Sequence, residues 1–122
     1  MEIKNQIEGI WKLKAFTILS KDGVLKKWGN NPHGLLIYAK GYMSVSINST
    51  PLKKDTPHNH ILFYTGTYKV KGNQIVHTVM NASERKRINQ KLVRDIEISN
   101  STLTLIGFGD YGTAKLIWEK VY

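Results

Sequence analysis

Strict alternation of apolar and polar side chains is the feature that most limits what this chain can fold into. Segments such as WKLKA (11–15), YTGTYKV (64–70) and LVRDIEI (92–98) repeat with a period of two residues. That period is typical of a β-strand with one buried face, whereas helical spacing is confined to Ile3 and Ile7. The pattern predicts one short N-terminal helix followed by strands.

Turn sequences divide the rest of the chain into short segments. Stretches such as KDG, GNNP, KGN and GDYG hold the Gly, Asn, Asp and Pro residues that β-turns prefer. Short strands at nearly regular spacing are typical of a mostly antiparallel sandwich or barrel. A length of 122 residues is that of one domain, so residues 1–122 are predicted to form a single domain. The predicted strands are 9–19, 24–28, 34–40, 42–48, 63–71, 74–82, 90–99, 102–108 and 114–121.

The chain carries a formal net charge of +9, which attracts anions such as nucleic acids and acidic metabolites. Its lysines are scattered, and only ERKRINQK (84–91) concentrates positive charge. That segment falls where a hairpin connection is expected, so a solvated loop is favoured over a phosphate-binding patch. Nucleic acid is the weaker alternative as a partner, because the tyrosines are predicted inside the fold and the lysines outside.

Targeting and membrane signals are missing from the sequence. No run approaches the roughly 18 apolar residues of a membrane span, and the first residues lack an apolar signal-peptide core. The chain contains no cysteine, so disulfides and thiol chemistry are excluded. We expect a cytoplasmic protein with no membrane partner.

Alternation also predicts which side chains point into the fold. Residues two apart share a strand face, so the lysines of WKLKA leave Trp11, Leu13 and Ala15 inside. Buried polar groups need hydrogen bonds, and no Asp or Glu is predicted on the inner face to pair with Arg94. Arg94 therefore joins a hydrogen-bond network, stacks on a tryptophan or contacts an anionic ligand. The polar residues predicted on or near the inner face are Tyr38, Tyr64, Tyr68, His77 and Arg94.

Seven segments occur in an order that matches a known family: GIWKL (9–13), GLLIYAKGYMSVSI (34–47), YTGTYKV (64–70), IVHTV (75–79), LVRDIEI (92–98), LTL (103–105) and LIWEKV (116–121). The chain resembles the lipocalin-like domain family, small cytoplasmic barrels of the calycin superfamily. The resemblance implies an up-and-down antiparallel β-barrel of eight to nine strands, with a central cavity closed at one end by Trp11. Gly66, Tyr68, His77 and Arg94 match residues that recur in that family. Some lipocalin-like barrels act as cyclases, isomerases or dehydratases, so the fold leaves the activity open.

Two short motifs are better explained as loops than as sites. GFGDYG (107–112) has the spacing of a dinucleotide-binding loop, but a strand follows where that motif needs a helix. His58 and His60 lie in the longest predicted connection, 49–62, which is predicted to be a lid or a crossing connection. Two histidines are fewer than the three or four ligands of a usual metal site. No metal and no cofactor are predicted.

The sequence favours a binding protein over an enzyme. The predicted partner is a small hydrophobic or amphipathic molecule, with an anionic group as one option, held inside the barrel. In the enzymatic alternative, a cofactor-independent isomerase, cyclase or dehydratase uses His77 as the base and Arg94 to stabilise an oxyanion. Side chains could instead fill the interior, and the chain could be a monomer or a homodimer. The predicted ligand-binding residues are Tyr38, Tyr64, Tyr68, His77, Arg94 and Trp118.

Overall fold

The antiparallel sheet closes into a barrel because its first long strand pairs with its last. The computed structural model describes residues 3–50, 61–109 and 112–122. Eight strands follow one another around the barrel, and one short additional strand extends the sheet beside the first. This architecture confirms the predicted all-β antiparallel barrel. In chain order the elements are α1 (Ile3–Ile7), β1 (Gly9–Leu19), β2 (Leu25–Lys27), β3 (Asn30–Ala39), β4 (Tyr42–Thr50), β5 (Ile61–Lys71), β6 (Gln74–Ala82), a 3₁₀ turn (Arg85–Arg87), β7 (Lys91–Ser99), β8 (Thr102–Gly109) and β9 (Gly112–Lys120).

The predicted strands agree with the observed ones to within a few residues. The largest difference is in β3, which begins at Asn30 rather than at residue 34. The described residues of GFGDYG, 107–109 and 112, belong to β8 and β9, with Gly109 opposite Gly112, and residues 110 and 111 lie outside the described part of the chain. The histidines His58 and His60 lie outside the described residues, as does most of the connection in which a lid is predicted. No helix in the described part of the chain is long and apolar enough to cross a membrane.

A β-bulge in β1 changes which of its residues face the interior. The pairing of β1 with β9 shifts register between Leu13 and Ala15, which leaves Lys14 as an extra residue. The prediction that Ala15 points inward is therefore wrong, because a bulge moves the alternation by one position. Phe16 and Ile18 take the inward positions of the second half of β1.

Trp11 closes the end of the barrel at which β1 begins. Its side chain is fully buried, and its Nε1–H donates a 2.8 Å hydrogen bond to the carbonyl of Ile7 in α1. Lys120 Nζ lies 4.7 Å from the centre of the Trp11 ring. The same ammonium group donates hydrogen bonds to the carbonyls of Gln6 at 3.1 Å and Glu8 at 2.6 Å. These contacts hold α1 across the barrel end.

At the opposite end, two neighbouring strands separate. β7 pairs with β8 only as far as Asp95 opposite Ile106. Beyond that pair, the described residues of β7 and β8 no longer contact each other through backbone hydrogen bonds. Within the described residues, β7 pairs only with β6 over residues 91–94, and β8 pairs only with β9 over residues 107–109. The barrel wall is consequently split at this end, and the cavity of the barrel lies near the split.

Candidate functional site

The open half of the barrel contains a cavity of about 270 Å³. This volume is just below the usual range for small-molecule sites, which begins at about 300 Å³. Among the described residues, polar side chains enter it at only a few points, on β5, β6, β7, β9 and the 3₁₀ turn. Its walls are otherwise apolar and include Phe16, Ile18, Leu36, Val45, Leu62 and Leu116.

His77 lies at the floor of the cavity between two tyrosines. Its Nε2 is 2.7 Å from the hydroxyl of Tyr38, and its Nδ1 is 2.8 Å from the hydroxyl of Tyr64. All three side chains are buried, because they occupy inward positions of β3, β5 and β6. Burial, assisted by the positive charge of Arg94, lowers the pKa of His77 to about 3. The imidazole is therefore neutral at pH 7.

Tyr38 determines the direction in which these hydrogen bonds are donated. Among the described residues, His77 is the only hydrogen-bond partner of the Tyr38 hydroxyl. A buried O–H without an acceptor costs about 1–3 kcal/mol, so the Tyr38 hydroxyl donates to Nε2. Burial raises the pKa of Tyr38 well above its ordinary value, so this proton stays in place. The neutral imidazole then donates from Nδ1 to the oxygen of Tyr64, whose own O–H proton is directed to an acceptor other than His77.

Arg94 occupies the split between β7 and β8. A Cβ built on Gly107 would lie 2.8–2.9 Å from Nη1, Cζ and Nε of Arg94, so the guanidinium lies with its face against this glycine. Nη1 donates a 3.2 Å hydrogen bond to the carbonyl of Val93, the only acceptor that the described residues provide. The side chain lines the cavity and also an outer depression beside Phe108. Because a guanidinium has five N–H donors, most of its hydrogen-bonding capacity remains for a ligand or water.

Arg87 brings a second guanidinium to the mouth of the cavity. It is the last residue of the 3₁₀ turn and belongs to the segment predicted as a solvated loop. Arg85 and Lys86 of the same turn are indeed exposed, whereas Arg87 lines the cavity. Its Nη2 lies 3.5 Å from Oε2 of Glu84, which offsets its charge. The turn thus directs one of its three basic side chains toward the interior.

Trp118 carries a buried donor for which the described residues provide no acceptor. Its side chain is 1% exposed, and no residue in the described ranges accepts a hydrogen bond from its Nε1–H. An unsatisfied buried N–H costs about 1–3 kcal/mol, and an acceptor supplied by a ligand or water would remove that cost. Elsewhere in the lining, Phe16 and Trp28 stack with ring centres 5.0 Å apart and form an aromatic wall.

The cavity brings together four of the six predicted ligand-binding residues, namely Tyr64, His77, Arg94 and Trp118. Tyr38 and Tyr68 lie instead on the closed side of His77, outside the set of described residues that line the cavity. Tyr68 packs edge to face on Tyr38, with ring centres 4.7 Å apart. These two tyrosines support the floor from below.

Several residues that line the cavity were not predicted from the sequence, among them Phe16, Ile18, Trp28 and Arg87. The bulge in β1 explains the first two, because it reverses the expected faces. A clue is present in AFTI (15–18), where a shift of one position turns two large apolar side chains inward instead of Ala and Thr. Arg87 had no such signal, since alternation does not apply to a loop.

The described residues offer no metal site, because no three of their His, Asp or Glu side chains cluster together. A comparison with solved structures finds a lipocalin-like protein from Bacteroides uniformis that is 22% identical to this chain. The match covers 94% of this chain and 98% of that one, with a TM-score of 0.56. The chain therefore has the lipocalin-like fold that its sequence resembles. No protein-family model and no curated protein matches the sequence.

Proposed function

We propose that this chain, as a barrel of lipocalin-like fold, binds a small and partly apolar molecule in its interior. The observation that supports the proposal most is the cavity of about 270 Å³, in which apolar walls surround a few convergent polar groups. A barrel of eight strands is wide enough to hold one small ligand. A cytoplasmic location, as expected from the sequence, is part of this proposal.

Different residues of the cavity are proposed to bind the apolar and the polar parts of the ligand. The apolar walls and the Phe16–Trp28 pair remove the ligand's apolar surface from water, which contributes about 25 cal/mol per Å² buried. Arg94 orients its polar end by hydrogen bonds. His77 fixes the Tyr64 hydroxyl at the floor of the cavity through its Nδ1–H.

A catalytic role for His77 is the weaker proposal. General bases work best with a pKa near the working pH, whereas burial lowers the pKa of His77 to about 3. Both ring nitrogens are also occupied by tyrosine hydroxyls, so a substrate atom would have to displace one of them. This arrangement favours a structural and orienting His77 in a binding protein.

Native mass spectrometry of freshly purified protein, with extraction of any adduct, is the first test. The second test is titration with 1-octanol followed by tryptophan fluorescence, since Trp28 and Trp118 line the cavity. Ala114→Phe should abolish both signals, because Ala114 also lines the cavity and a phenyl ring would fill it. Thr113→Phe is the matched control, since it adds the same ring at the neighbouring position, which is not fully buried. A wild-type protein without adduct and without response to 1-octanol would refute the proposal.

A further inference from the structure

We infer that the molecule bound in this cavity is a small monocarboxylate whose carboxylate is held by Arg94. The inference rests on the proposed function and adds the chemical class of the ligand. It follows from the kinds of polar group that reach the cavity, from the balance of charge among them and from the volume available.

The polar side chains that line the cavity are rich in donors and lack charged acceptors. No Asp, Glu, Asn or Gln is among the described lining residues. The N–H groups of Arg94 and Trp118 can only donate hydrogen bonds. A ligand that carries acceptors matches such a lining, whereas an ammonium group would find no counter-charge there.

The balance of charge favours a single negative charge on the ligand. Arg87 at the mouth is offset by Glu84, whose Oε2 lies 3.5 Å from its Nη2. Among the described residues, Arg94 has only the Val93 carbonyl as a partner, so its charge has no counter-ion within the barrel. His77 contributes no charge at neutral pH. One uncompensated guanidinium suits a carboxylate, which can accept two parallel hydrogen bonds from it, better than a phosphate with nearly two charges.

The volume limits the size of the apolar part. About 270 Å³ corresponds to roughly nine water molecules at the ~30 Å³ that each occupies in the liquid. This space accommodates a ligand of on the order of ten non-hydrogen atoms, which is the size of octanoate. The apolar lining includes Phe16, Trp28 and Leu62, which would contact a short alkyl chain or a single ring.

Three probes of equal chain length test the inference by titration calorimetry: octanoate, 1-octanol and octylamine. We expect octanoate to bind at least tenfold more tightly than 1-octanol and octylamine not to bind. Arg94→Met should bring octanoate to the affinity of 1-octanol, since methionine keeps an apolar stem and removes the guanidinium. Arg85→Met is the matched control, because it removes the same charge from an exposed position outside the cavity and should preserve the preference. Arg94→Lys, which keeps the charge, provides a second variant and should retain part of the preference.

The outcomes separate the inference from the proposed function. Equal binding of octanoate and 1-octanol, or a preference that survives Arg94→Met, would overturn the carboxylate while leaving the cavity a binding site. A preference that Arg85→Met removes equally would attribute it to overall charge and would also overturn the inference. If neither octanoate nor 1-octanol binds at millimolar concentration, the proposed function fails together with the inference.

Discussion

The hydroxyl of Tyr38 and Nε2 of His77 share a buried hydrogen bond of 2.7 Å between two strands that are not neighbours in the sheet. This bond crosses the interior from β3 to β6 and separates the closed half of the barrel from the cavity. Protonation of His77 would convert Nε2 into a donor, so the Tyr38 oxygen would accept this bond and the Tyr38 O–H proton would lose its acceptor. The bond therefore links the protonation state of one residue to the integrity of the barrel interior.

Stability should fall as the pH is lowered from about 6.5 toward 3, because of His77. Its pKa is lowered to about 3 in the folded protein, while the unfolded chain keeps a value near 6.5. The unfolded state therefore binds more protons in this interval, and the free energy of unfolding decreases by up to about 1.4 kcal/mol per pH unit. Urea unfolding of wild type and His77→Gln at a series of pH values measures the effect, and the variant should show the shallower dependence.

His33→Gln is the control for the pH experiment, because His33 is exposed on the outer face of β3. It should reproduce the wild-type dependence on pH. Parallel curves for wild type and His77→Gln would show that burial of a neutral His77 does not set the acid sensitivity.

Gly66→Ala should destabilise the barrel strongly. A Cβ at Gly66 would lie 1.9 Å from the carbonyl oxygen of Thr78, which is backbone and cannot rotate away. The strands β5 and β6 would have to separate locally, at a cost of roughly 1–3 kcal/mol or more. Thermal unfolding measures the loss. An unchanged melting temperature would mean that the close approach of these strands is not required.

Gly107→Ala should act on binding more than on stability. The new Cβ would lie 2.8 Å from Nη1 of Arg94, so it displaces a side chain that can move rather than a backbone atom. We expect a modest loss of stability, about 1 kcal/mol, and a clear loss of octanoate affinity with 1-octanol affinity retained. Calorimetric titration with both probes checks this. Full octanoate affinity would show that Arg94 binds from another position.

Lys120→Met should loosen the closed end of the barrel. The substitution keeps the apolar stem but removes two hydrogen bonds to the carbonyls of Gln6 and Glu8 and the contact with Trp11. The expected loss is about 1–2 kcal/mol of unfolding free energy in urea, accompanied by faster proteolysis near α1. Lys115→Met, at an exposed position of the same strand, should change neither property. Equal effects of the two substitutions would show that Lys120 does not hold α1 at the closed end of the barrel.

Deletion of Lys14 should leave the barrel folded. Lys14 is the extra residue of the β1 bulge, and without it Phe16 and Ile18 still face inward in regular alternation. The deletion removes one exposed ion pair with Glu119, worth at most about 1 kcal/mol. Deletion of Thr17 is the contrasting variant, because it would turn Ile18 outward. Circular dichroism and thermal unfolding compare the two, and similar behaviour would argue against this assignment of the bulge.

Alternation predicted the inward residues of β5 to β9 because their inner faces follow a period of two, and it thereby located His77, Arg94 and Trp118. It failed after Lys14 in β1, since a bulge depends on pairing with another strand. It also could not assign Arg87, whose direction follows from the backbone of a 3₁₀ turn. The division between cavity and floor was not predictable either, because it depends on how deep each side chain lies along the barrel axis.

Closure through β1 and β9 also governs how copies of this chain can meet. Along that seam the backbone N–H and C=O groups of both strands bond to each other and are not offered to a second molecule. The strand order ends at β2, which spans three residues and carries Lys26 and Lys27, side chains that discourage pairing at an edge. Pairing of strands between copies at the seam would therefore require the seam to open first. Folded copies are left with the short edges at the split between β7 and β8 and with side-chain surfaces, such as that around Ile37 and Met80, through which to associate.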